Sequence, residues 1–274
     1  KPVVKFEDIP QQDAARFVHR FAQSYELIVS KPYFKDRLIL RTRKQGTADE
    51  GPLVTIYASR GEQGARLQQI ERTAKQDVRG CGQLLGFPSC CVEAFETNML
   101  AAQGDQDAVN DDAIRALLSQ TQDTPGHRLL DPLSDHEMLA FYPCNVRCEA
   151  AIEVAKRNLK ALKLTAPSAA NRAQQLLGRP VLFWRTPFFI VFDPEAIFEP
   201  DGRLHYRWAR VHVFDDIEVS RLQRLFGAMV LPALGKGDRV DLQAHRIRIW
   251  RGAEQIDEIV GHQELAPILA RWSA

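Results

Sequence analysis

The chain has 274 residues, 45% of them hydrophobic and 26% charged, and its 36 basic and 35 acidic side chains leave a net charge of +1. That length and balance exclude global disorder and provide a sizeable core, while the near-neutral sum gives no field that would by itself hold nucleic acid or a membrane surface. No run of about 18 apolar residues occurs, so no membrane-spanning helix is expected, and the opening KPVVKFEDIPQQ has no apolar core of a secretory signal.

Ala14, Phe17, Val18 and Phe21 repeat at helical spacing in PQQDAARFVHRFAQSYE, which predicts an amphipathic helix. RLILRTR and LVTIYAS read as strands, joined by a polar hairpin loop, KQGTADEGP. From Gly61 the pattern turns helical, with QGARLQQIERTAKQDVRG running to a glycine-rich break at Gly80–Gly82. Pro88 and Ser89 then start a second helix over CCVEAFETNMLAAQ, with Ser89 as the expected N-cap. The acidic GDQDAVNDD is expected to break it, before a short helix over Ala113–Ser119 and a loop over Gln120–Asp135. Pro143 precedes a long helical run, CNVRCEAAIEVAKRNLKALKL, and the connector TAPSAANRAQQLLGRP carries one short helix. PVLFWRTPFFIVF, RLHYRWARVHVF, RVDLQ, HRIRIW and EQIDEIV read as strands, with a helix over IEVSRLQRLFGAMVLPAL and hairpin turns at EPDGR and RGAE. The sum is an α+β chain with three expected regions. Residues 1–60 form a short α/β N-terminal part, 61–165 a helical cysteine-bearing middle, and 178–274 a β-rich domain.

Five cysteines are too few, and odd in number, for a disulfide scaffold. A reducing, cytoplasmic compartment is expected, in which clustered thiols serve as metal ligands or redox groups. GFPSCCVEAF and FYPCNVRCEAA each place an aromatic residue and a proline ahead of cysteines at a helix start. Free backbone N–H groups and the helix dipole favour negative charge there, and the thiolate is the form that binds metals. Read as helical, Cys144 and Cys148 share one face. Two such starts brought together would converge the sulfurs of Cys90, Cys91, Cys144 and Cys148 on one point.

Neighbouring helical positions diverge by about 100°, which favours a multinuclear guest whose corners are gripped separately. An iron–sulfur cluster of the four-iron, four-sulfur kind is therefore the leading occupant, with a redox or sulfur-handling role and a redox partner or small molecule as counterpart. With three ligands such a cluster keeps an open position, so the sequence leaves enzyme and carrier both open. The alternatives are a structural zinc site and a metal-free dithiol oxidoreductase. Cys91 also reads as a core residue beside Val92, Phe95 and Met99, and Cys81 reads as a small residue in a tight turn.

GQLLGFPSCC followed by FYPCNVRC resembles a microbial family of unknown function with the motifs G-x-L-L-G-[YF]-P-x-C-C and P-C-x-x-x-C. The resemblance covers Gly82, Leu84, Leu85, Gly86, Phe87, Pro88, Cys90 and Cys91, then Pro143, Cys144 and Cys148. Cys81 lies outside it. It implies that four cysteines form the site and names no activity.

His136, eight residues before Cys144, is a candidate mixed ligand or proton donor, and His127 a weaker one. No H-E-x-x-H, Walker-type or G-x-S-x-G motif occurs. Arg203, His205, Arg207, Arg246 and Arg248 alternate with apolar residues, which suits either the charged face of a half-buried sheet or a nucleic-acid platform. The neutral overall charge favours the sheet face, so no nucleic-acid partner is expected.

Overall fold

The computed structural model describes residues 2–33, 51–72, 77–101, 106–133, 138–185, 188–211, 229–260 and 266–273. The chain is α+β and divides into two compact units, Lys1–Val109 and Asn110–Ala274.

In the first unit, β1 (Val3–Pro10), β2 (Glu26–Val29) and β3 (Leu53–Ser59) form an antiparallel sheet in the order β1-β3-β2. The central strand β3 is buried on both faces. Val54 and Ile56 pack with Ala14 and Phe17 of α1 (Gln11–Phe21), so the predicted amphipathic helix covers one side. On the other side, Tyr57 packs with Val3, Leu67 of α2 (Gln63–Arg72) and Leu84 of α3 (Val78–Leu85). β1 and β2 escaped the sequence reading because charged and proline residues dilute their alternation. A register shift between Phe6 and Ile9 accompanies a left-handed Asp8 (φ 56°). Tyr33 holds this bulge: its hydroxyl accepts the Asp8 N–H at 3.0 Å and donates to Asp8 Oδ1 at 2.9 Å. RLILRTR and most of the expected hairpin loop lie outside the described residues.

Gly80–Gly82 do not break a helix; they lie inside α3. The Asp77 carboxylate caps α3 by accepting the Gly80 N–H at 2.7 Å. A Schellman motif closes its other end, with Gly86 left-handed (φ 68°), the Gly86 N–H donating to Gln83 O at 3.0 Å and the Phe87 N–H to Gly82 O at 2.9 Å. Gly82 is required by packing, because a Cβ there would overlap Cγ2 of the buried Val92 on α4 (Ser89–Ala101).

The second unit opens within α5 (Gln106–Asp123), which runs through most of the acidic stretch expected to end a helix and beyond Ser119. PVLFWRTPFFIVF forms two strands, β5 (Val181–Arg185) and β6 (Phe188–Phe192), paired antiparallel. They belong to a sheet of order β13-β5-β6-β9, with β9 at Ala209–Val211 and β13 at Ile268–Ala270. A second sheet has the order β12-β11-β10-β8-β7, from β7 (Ile197–Phe198), β8 (Leu204–His205), β10 (Arg239–Gln243), β11 (Arg246–Arg251) and β12 (Glu254–Val260). RLHYRWARVHVF thus supplies strands to both sheets, and EPDGR and RGAE lie at the predicted hairpin turns.

Leu182, Trp184, Ile190 and Phe192 pack against Leu204, Val240, Ile247 and Ile249 of the second sheet. The alternate residues Val181, Phe183, Phe189 and Val191 pack against Ile114 and Leu118 of α5. β5 and β6 are apolar on both faces for that reason. Residues 229–234 are helical and bring Val230 and Leu234 into the inter-sheet core, while the rest of the predicted helix before them lies outside the described residues. Among the described residues no helix is long and apolar enough to cross a membrane.

Alanine ordinarily stabilises a helix over glycine by about 0.5–1 kcal/mol. The overlap with Val92 is expected to outweigh this, so Gly82→Ala should destabilise the protein by about 1–3 kcal/mol, read as a lower urea midpoint. Adding Val92→Ala should recover part of the clash component.

Candidate metal centre

The first cysteine pair stands on the first turn of α4. The Pro88 carbonyl accepts the N–H groups of both Cys91 and Val92 at 3.0 Å, so Pro88 takes the capping position and Ser89 is the first helical residue rather than the N-cap. The Schellman turn at Gly86 and the Gly82–Val92 approach set where this helix begins. Cys91 is 2% exposed, Cys90 is exposed, and their sulfurs lie 3.9 Å apart.

The second pair is arranged differently from the sequence reading. Helix α6 is Glu149–Thr165, so Cys148 is its N-cap and Cys144 lies ahead of it in a turn. Cys144 and Cys148 therefore do not share a helix face. The Asn145 carbonyl accepts the Cys148 N–H at 3.2 Å, the Asn145 side-chain oxygen accepts the Arg147 N–H at 2.9 Å, and Cys148 O accepts the Ile152 N–H at 2.9 Å. Such a tight turn draws the two ends of a C-x3-C segment together.

Val146 anchors this turn. Its carbonyl accepts the His127 N–H of β4 (Gly126–His127) at 2.8 Å, and its own N–H donates to Gln120 Oε1 at 3.2 Å. Arg147 Nε donates to Pro125 O at 2.9 Å. β4 pairs in parallel with β14 (Trp272–Ser273), and Gly126 has no room for a side chain: a Cβ would come within 2.7 Å of the Trp272 ring and 3.1 Å of Val146 Cβ. Gln120, Gly126, Val146 and Arg147 were missed as site-building residues, and His127 was read only as a weak ligand candidate. Their roles arise from pairings across roughly 20 to 150 residues of chain, which no local pattern announces.

The four cysteine sulfurs, of Cys90, Cys91, Cys144 and Cys148, lie within 4.8 Å of one another. Soft donors in this number and proximity fit a thiolate-bound metal, and the group can hold one. Cys81 is not part of it. Its side chain packs beside Tyr57, Leu67 and Leu84, and burial, with the Glu71 carboxylate adding to it, pushes its thiol up to about 11. His136 lies outside the described residues. His127 serves as a cap, with Nδ1 accepting the Leu129 N–H at 3.2 Å.

The arginines suspected of forming a basic platform are engaged with acids. Arg207 pairs with Glu195 at 2.8 Å, Arg246 with Glu258 at 2.6 Å and Arg248 with Asp241 at 2.7 Å, while Arg203 lies 3.3 Å from Asp201 and stacks on Trp250. His205 contributes to the β8–β10 ladder opposite Arg239.

Two pH effects follow. Alkylation of Cys81 should rise with pH toward a midpoint near about 11 rather than 9.0, followed by mass spectrometry. Burial first, then Lys156, Arg147 and Arg128, hold the His127 imidazole below its ordinary 6.5. The unfolded chain therefore takes up that proton first, so this contribution to stability is present above 6.5 and is lost as pH falls through the window beneath it. His127→Asn keeps an acceptor for Leu129, and it should reduce the loss of stability in denaturant titrations between about pH 7 and about pH 5.

No curated protein and no solved structure matches the chain. Residues 64–165 match a family model described as "Protein of unknown function (DUF483)", and that stretch contains all four clustered cysteines. The cysteine-bearing middle of the chain is thus similar to a family of unknown function, in keeping with the resemblance drawn from its two motifs.

Proposed function

We propose that Cys90, Cys91, Cys144 and Cys148 bind a single divalent ion, zinc, as a tetrathiolate centre, and that holding this ion is the function of the cysteine motifs. The observation that carries the reading is the mutual separation of the sulfurs, none beyond 4.8 Å. Four thiolates sharing one ion at about 2.3 Å in a tetrahedron stand about 3.8 Å from each other. The Cys90–Cys91 sulfur separation of 3.9 Å is close to that edge. In a four-iron cluster each thiolate sits on a different iron, outward from the cube, and the sulfurs must stand farther apart than ligands of one ion.

The helical splay of adjacent residues favours a multinuclear guest only if it keeps the two sulfurs apart, and at 3.9 Å it does not. The tight turn through Cys144–Cys148 also resembles the turns that present C-x2-4-C pairs to structural zinc.

A second reading, an iron–sulfur cluster, draws support from the positions of Cys90, Cys91 and Cys148 at helix starts, where N–H groups and the dipole favour an anionic cluster. Metal analysis of anaerobically purified protein separates the readings. Zinc near one equivalent per chain, in colourless protein without acid-labile sulfide, is the expected result. Brown protein with iron and sulfide selects the cluster, and metal-free protein with a reducible disulfide selects a dithiol oxidoreductase. Removal of the ion by a chelator should lower the melting temperature, because binding energy for a site absent from the unfolded chain is folding energy. Cys91→Ser and Cys148→Ser should each lower zinc affinity by at least about tenfold, whereas Cys81→Ser should leave it unchanged.

A further inference from the structure

The four cysteines differ in exposure. Cys91 and Cys148 are 2% and 6% exposed, Cys144 is half-buried, and Cys90 is exposed. Asn145 Nδ2 donates to Cys144 Sγ at 3.5 Å. A coordinated thiol is held as thiolate at neutral pH, and the thiolate is the nucleophilic form. Four thiolates also outweigh a divalent charge, which leaves such a centre anionic and its sulfurs electron-rich. Nucleophilic attack needs that electron density together with an approach path, and Cys90 is the member of the group on an exposed residue.

We propose that Cys90 is the outward, reactive ligand of the centre, and that the site takes soft carbon electrophiles, which alkylate this sulfur in preference to the other three. The inference rests on the metal-centre reading above. In the step, a lone pair of Cys90 Sγ forms a bond to the electrophilic carbon, the bond from that carbon to its leaving group breaks, and the leaving group departs with the electron pair. No oxidant or reductant is consumed. The thiolate becomes a neutral thioether, so the centre loses one negative charge and grips its cation less tightly. Cys90 is thereby a stoichiometric acceptor whose modification is coupled to metal affinity.

The test uses the full chain with its metal as purified, metal content being measured before and during labelling. Limiting iodoacetamide is added, and the sites are assigned by fragment-ion sequencing of the peptides containing Cys90–Cys91, Cys144 and Cys148. The expected result is that Cys90 is modified at least about tenfold faster than Cys91 or Cys148, before the ion is lost, with iodide released in step. Cys90→Ser should keep a metal ion at reduced affinity and lose the fast labelling phase. Protein that binds metal but is labelled at Cys91, Cys144 or Cys148 as fast as at Cys90 would overturn the assignment while leaving the centre intact. Protein that carries no metal when isolated anaerobically would overturn both. The labelling order in the unmutated protein decides the matter even if the serine variant fails to fold.

Discussion

Repulsion among crowded thiolates is the constraint on which the site depends. Two like charges about 4 Å apart cost on the order of 4 kcal/mol at an effective dielectric of about 20, so sulfurs within 4.8 Å of one another would repel one another strongly as thiolates. A divalent ion among them would add four metal–sulfur attractions that outweigh those repulsions, and a backbone that already holds the sulfurs close spares the ion the cost of gathering them.

Each cysteine pair is held by backbone geometry with few polar side chains. On the α4 side, the left-handed Gly86 stops α3, the chain turns through Phe87 and Pro88, and the Pro88 carbonyl starts the next helix. Gly82 lets α3 come close enough to touch Val92, the neighbour of Cys91. On the α6 side, Val146 is hydrogen-bonded through both its N–H and its carbonyl, and the turn around it is closed at Asn145. Gly82, Gly86 and Pro88 of the first motif thus act as geometric devices for aiming sulfur, and the one thiol outside the motifs, Cys81, packs beside an apolar cluster where burial raises its pKa.

Much of the architecture could be read from residue order because the signals are local. The amphipathic repeat of α1, the apolar run of β3 and the turns at EPDGR and RGAE depend on neighbours a few positions away. The errors share a physical cause. Gly80–Gly82 look like a break, yet Asp77 caps the helix and Val92 demands a missing side chain, so packing overrides propensity. The acidic stretch GDQDAVNDD looks like a helix stop, but most of it lies within α5, which continues into a segment whose Ile114 and Leu118 are buried. Cys144 looks helical because a helical run follows, but Cys148 takes the cap position and leaves Cys144 in the turn.

The sequence alone determined which sulfurs belong together. Two short motifs, each with a proline ahead of its cysteines, mark Cys90, Cys91, Cys144 and Cys148 as a set, because local chain geometry decides where a helix begins and what stands at its start. Only the tertiary structure decided how far apart those sulfurs lie and which of the cysteines are buried. Distance and burial depend on partners remote in the chain, such as Val92 against Gly82 or His127 against Val146, and no local pattern contains them.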